Sequence, residues 1–154
     1  MLTPSHSVLT GGVTCSDVSR AGRPATLDGL EAAIRAAWSL DTCDPSDAAE
    51  WTPANPARGQ CAVTALVVHD LLGGQLLEAE VHHADGSARG FHYWNRLAGL
   101  DVDLTSDQFT DREVVGEPHL VERLASAPWL AHDQYLILRD RVRAALGLPA
   151  ARAG

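Results

Sequence analysis

Apolar positions along the chain change period several times, and each change marks an element. Leu27, Leu30, Ala33, Ile34, Ala37 and Trp38 recur at three and four residues, the stripe of an amphipathic helix, with Thr26 or Asp28 in position to cap it. Residues 62–72 form the longest apolar run, which reads as a buried helix halted by Gly73-Gly74. Beyond it Leu77, Ala79 and Val81 alternate with Glu78, Glu80 and His82, the period of a half-buried strand. Further strands are predicted over 91–97 and 100–105, with turns at 84–90 and at Ala98-Gly99, so the three make an antiparallel meander. Helical spacing returns in a short segment at 121–125 and in a longer one at 135–146, which Gly147 and Pro149 end.

The breaks between these stretches set the domain organisation. Residues 1–24 mix Ser, Thr, Gly and Arg without a period and read as a disordered extension. Residues 25–148 then form one α+β domain, with N-terminal helices packed on a small antiparallel sheet and a C-terminal helix, and 149–154 a flexible tail. Residues 41–56 contain three prolines and a cluster of turn formers, so they read as a long loop. That loop runs into Gly59-Gln60-Cys61 and is expected to wall whatever pocket Cys61 faces.

Composition removes several function classes. Twenty acidic against twelve basic side chains give a formal charge of −8, the wrong sign for holding a phosphate backbone, so no nucleic-acid partner is expected. No apolar run approaches the roughly 20 residues that cross a bilayer, and the first residues do not read as a secretion signal. A cytoplasmic location without membrane contact is the expectation. Three cysteines at irregular spacing, Cys15, Cys43 and Cys61, argue against a disulfide framework or a zinc ribbon. Cys15 reads as an incidental thiol and Cys43, within reach of the pocket that Cys61 faces, as a partly buried structural one. His69, His82, His83 and His92 with Cys61 fall in no zinc spacing, so neither metal nor cofactor is expected.

Chemistry concentrates on Cys61. It sits in the first turn of the predicted buried helix, where free N–H groups and the helix dipole favour the anionic thiolate. Cysteine catalysis also needs a base and a group to orient it. Alternation in Phe91-His92-Tyr93-Trp94 puts His92 and Trp94 on one face, and His92 can then point toward the helix of Cys61. Asp101 and Asp103 share a face of the next strand, and Asp103 is preferred as the carboxylate for His92.

These residues match a known pattern. A cysteine opening a helix, His-Tyr-Trp in a strand and Asp-Leu-Thr after it resemble the core of transglutaminase-like and papain-like cysteine enzymes. More closely, Asn-Pro-Ala-Arg-Gly-Gln-Cys-Ala-Val-Thr-Ala-Leu-Val-Val, His-Tyr-Trp-Asn and Val-Asp-Leu-Thr-Ser-Asp-Gln-Phe resemble the YunG family of small bacterial proteins, over roughly residues 30–146. The resemblance implies a triad of Cys61, His92 and Asp103 on a papain-like or transglutaminase-like α+β core, working through a thioester on cysteine. Acyl transfer to water or to an amine is the expected activity, on a small-molecule or peptide-like acyl substrate, free or tethered to a carrier. The other classes are a non-catalytic binding module and, less favoured, a metal-binding protein.

An acyl-transfer site also needs donors for the oxyanion. The backbone N–H of Cys61 is one, and Gln60 and Asn55 are the two side-chain candidates. Asn95 and Gln108 are read as capping a strand end or bonding loop backbone. Trp51 and Trp94 either shield the site from water or pack in the core. Oligomeric state is not legible.

Overall fold

In a computed structural model, which describes residues 26–123 and 131–152, three helices and five strands follow in the order α1, α2, β1 to β5, α3. The expected extension at 1–24 lies outside the described residues. Helix α1 (Leu27–Ala37) begins at Thr26, whose hydroxyl accepts from Gly29 N–H at 3.2 Å, and buries Leu30 and Ile34. Helix α2 (Cys61–Leu72) is buried from Ala62 through Val68 and ends at Gly73, whose φ of 70° only glycine adopts without strain. Helix α3 (His132–Ala145) adds Tyr135, Leu138 and Val142 to the same core. No described helix is long and apolar enough to cross a membrane.

The sheet is antiparallel and larger than the meander the alternation predicts. Strands β1 (Gln75–His83) and β2 (Ala88–Leu97) form the central hairpin, with Leu77 opposite Trp94 and Ala79 opposite His92. Strand β3 (Leu100–Val102) follows β2 through Ala98-Gly99, both at positive φ as a two-residue hairpin turn requires. It stops at Val102, so Asp103 lies beyond the ladder rather than in a strand reaching residue 105. On the other edge of β1, β4 (Glu113–Val115) pairs with Val81 to His83 and β5 (His119–Val121) with Leu76 to Glu78. Val121 therefore closes a strand and 122–123 are not helical, which corrects the first part of the short helix expected over 121–125; residues 124–125 lie outside the described residues. The three residues of β4 and of β5 carry too little alternation to be read, and pairing with β1 makes them strands.

The two faces of the central hairpin meet different partners. Tyr93 joins the core of the three helices, and Asn95 donates from Nδ2 to the Ala65 carbonyl of α2 at 3.0 Å. His92 and Trp94 leave the strand on the other side, where Trp94 packs with Leu77 and Ala79. Of the residues of α2, it is Cys61, the first, whose interaction with His92 raises the proton affinity of the imidazole. The segment from 39 to 60 is not featureless either, since Leu40–Thr42 and Pro45–Asp47 form single 3-10 turns.

Candidate active site

The site is assembled from four chain segments. Cys61 is the first residue of α2, and no side chain caps that helix end, so the N–H groups of its first turn have no side-chain acceptor. His92 projects from β2, and its Nε2 lies 2.6 Å from Asp103 Oδ2. The Cys61 thiol interacts with the same imidazole and raises its affinity for a proton; with Nε2 on Asp103, Nδ1 is the nitrogen left to exchange a proton with it. Asp103 is fixed in turn: its Oδ1 accepts from Thr105 N–H at 3.0 Å and from the Thr105 hydroxyl at 3.3 Å. Arg35 of α1 holds the segment that follows, donating to the Leu104 carbonyl at 3.0 Å and to Asp107 at 3.1 Å.

His92 is sealed among aromatic rings. Trp94 stacks on it with ring centroids 5.1 Å apart, and Phe109 meets it edge-on at 4.7 Å. Only 1 % of the residue is exposed. Burial alone would lower its affinity for a proton, yet hydrogen bonds to Asp103 and Cys61, with the charges on both, outweigh it and raise the pKa to about 9. Trp94 is held by its own indole N–H, which donates to Asp101 at 3.3 Å.

A pocket of about 230 Å³ opens beside the thiol, with Cys61, Gln108, Phe109, Phe91, Tyr93 and Arg89 in its wall. Its polar side is a charge lattice. Arg58, three residues before the cysteine, binds Glu113 of β4 through two hydrogen bonds of 2.8 and 3.0 Å. Arg89 joins Glu113 at 2.5 Å, Asp47 at 2.7 Å and Glu50 at 3.1 Å. The loop before Cys61 is thereby clamped to the sheet, a role that no spacing of these residues in the chain discloses. Tyr93 hydrogen-bonds Glu78, and burial together with that carboxylate raises its pKa.

The other side chains considered from sequence sit away from the pocket wall. Gln60 is fully buried, and its amide nitrogen donates to the Ser39 carbonyl at 3.0 Å. Asn55 donates to the backbone carbonyl of Gln108 at 2.9 Å. Trp51 donates to the Pro56 carbonyl at 3.2 Å and braces the loop. The backbone carbonyls that each amide or indole meets decide these directions, and sequence separation does not report them. Cys43 is buried, its thiol directed at the carbonyls of Asp44 and Arg58. Burial and the nearby Asp47 and Asp44 push that thiol up to about 12. Among the described residues no group of three His, Cys, Asp or Glu side chains is arranged to hold a metal ion.

Gln108 bonds loop backbone, as its sequence reading has it, and also reaches the imidazole. Its amide is buried at the pocket wall, with Nε2 3.0 Å from the Thr105 carbonyl and 3.4 Å from His92 Nδ1, and with Oε1 accepting from Gly59 N–H at 3.4 Å. An amide in Asp-Gln-Phe, directly before an aromatic and a few residues past Asp103, was the available signal.

A family model described as YunG protein matches residues 26–147, which spans all of the elements above. The chain belongs to the YunG family. Among curated proteins, the YunG of Bacillus subtilis (strain 168), described there as an uncharacterized protein, is 33 % identical over 76 residues. That alignment covers 49 % of this chain and 56 % of the relative, so the chain spans little more than half the length of the curated YunG it matches. No solved structure matches it.

Proposed function

We propose that this YunG-family protein is a cysteine-dependent acyl-transfer enzyme with a Cys61, His92, Asp103 triad on a papain-like or transglutaminase-like core. One observation carries the reading: a single buried imidazole is bonded to a carboxylate at 2.6 Å and has its proton affinity raised by a cysteine that opens a helix and lines a pocket. His92 takes the proton of Cys61, and the thiolate attacks an acyl carbonyl. The tetrahedral intermediate collapses to a thioester as the bond to the leaving group breaks, and His92 returns the proton to that group. Water or an amine then attacks the thioester, giving up a proton through His92, and Cys61 is regenerated. Asp103 holds the tautomer of His92 and stabilises its cationic form. Trp94 and Phe109 keep water from the imidazole. The substrate in this reading is a small or peptide-like acyl compound, and the location is cytoplasmic.

The test is intact-mass spectrometry of the protein after exposure to 4-nitrophenyl acetate and a panel of thioesters. A single acyl adduct on Cys61, absent in Cys61→Ala and strongly slowed in His92→Ala, is the expected result. Absence of any adduct on the wild-type chain would leave a binding module on the same scaffold.

A further inference from the structure

We infer that Gln108 is the side-chain donor to the oxyanion and that formation of the nucleophile is what frees it to act; the inference rests on the acyl-transfer reading above. Three contacts orient the amide. Nε2 faces the Thr105 carbonyl at 3.0 Å, and Oε1 faces Gly59 N–H at 3.4 Å, so the donor and acceptor ends are assigned consistently from both sides. Asn55 fixes the backbone of the same residue by donating to its carbonyl at 2.9 Å. The residue is 3 % exposed and lines the same pocket as Cys61.

A primary amide nitrogen carries two hydrogens. One is committed to Thr105. The other is directed at His92 Nδ1, 3.4 Å away, and that atom can accept only while it has a free lone pair. When Nδ1 carries a proton, the state that the hydrogen bond of Nε2 to Asp103 favours, it is a donor and the second hydrogen of Gln108 has no acceptor. That is the thiolate–imidazolium form, the one that attacks the acyl carbon. The next acceptor to form at the thiolate is the oxygen of the tetrahedral intermediate. A donor without a partner until that charge appears stabilises the transition state in preference to the ground state. Gln60, whose amide nitrogen is spent on Ser39, lacks this arrangement, and Asn55 acts one residue removed, by holding Gln108 in place.

Two reagents separate this role from a structural one. Iodoacetamide alkylates a thiolate by displacement and forms no oxyanion, whereas 4-nitrophenyl acetate acylates through one. In Gln108→Met, which keeps the length of the side chain, and in Gln108→Glu, which keeps an acceptor for Gly59 N–H, acylation of Cys61 should fall by about 10²–10³-fold. The rate of alkylation and its pH profile should match the wild type in at least one of the two variants. A parallel fall in both reactions, or a displaced alkylation profile, in both variants would show that Gln108 only positions His92 and would overturn the inference. Unchanged acylation would overturn it as well. A wild-type protein that alkylates but is never acylated would instead defeat the acyl-transfer reading, and this inference with it.

Discussion

Replacing Glu113 by glutamine should destabilise the fold by about 2–3 kcal/mol, because it unpairs a guanidinium that has almost no access to water. The side chains of Arg58 and Glu113 are 6 % and 4 % exposed, and they meet through two hydrogen bonds. Burial favours the neutral acid, but hydrogen bonds from Arg58, from Thr110 N–H and from Arg89 prevail and lower the Glu113 pKa from 4.5 to about 2. At about 1.36 kcal/mol for each pH unit, that difference corresponds to roughly 3 kcal/mol. The more exposed Arg89 and Glu50 belong to the same lattice, and solvent screening there reduces the figure somewhat. Breaking a buried pair by removing one partner typically costs about 3–5 kcal/mol; Glu50, 3.7 Å from Arg58, offers a partial substitute and places this case at the lower end. For a chain of this size the melting temperature should drop by about 4–12 °C.

Urea denaturation from pH 7 down to pH 2 supplies the check. A carboxylate whose folded pKa is depressed contributes stability that is complete above about 4.5 and lost as the pH falls toward about 2. Wild-type stability should therefore decline over that window more steeply than that of Glu113→Gln. If the variant lies within about 0.5 kcal/mol of the wild type at pH 7, as an ordinary surface substitution would, and the two acid limbs run parallel, the lattice does not hold the loop and the reasoning fails.

Two further outcomes follow from the site. His92 has the opposite sign: its pKa, raised from 6.5 to about 9, contributes stability that is complete below about 6.5 and is lost as the pH rises through about 9. An NMR titration should place the His92 midpoint well above 6.5, and Asp103→Asn should bring it down; an identical midpoint in both proteins would refute the coupling. Gly59→Ala should destabilise by at least about 2 kcal/mol in urea, combining a left-handed backbone with overpacking. The φ of Gly59 is +69°, and a Cβ there would lie 2.5 Å from Cys43 Sγ and 2.8 Å from Asp47 Cβ. A variant of wild-type stability would show that the loop relaxes freely.

The elements with sustained period were legible from the chain alone. Seven consecutive buried residues in α2, the capped stripe of α1, the alternation of β1 and the turn at Ala98-Gly99 each encode a local preference that the fold leaves intact. The grouping of Cys61, His92 and Asp103 was anticipated from strand alternation and from the resemblance to cysteine enzymes, although His92 lies mid-strand and Asp103 beyond β3. The three-residue strands β4 and β5 were not legible, since pairing with an open edge of β1, rather than any propensity of their own, makes them strands.

Side-chain direction was decided by the tertiary structure. Gln60, Asn55 and Gln108 are all amides near the cysteine in the chain or in the fold, and their chemistry is the same on paper. Only packing shows that Gln60 turns to Ser39, that Asn55 grips backbone and that Gln108 reaches the imidazole. The Arg58, Arg89 and Glu113 lattice is likewise invisible in one dimension, because its members come from a loop and two strands distant in sequence. A chain encodes local conformation through neighbours a few residues apart. It specifies the partners of a buried polar group only through the whole set of contacts that folding brings together.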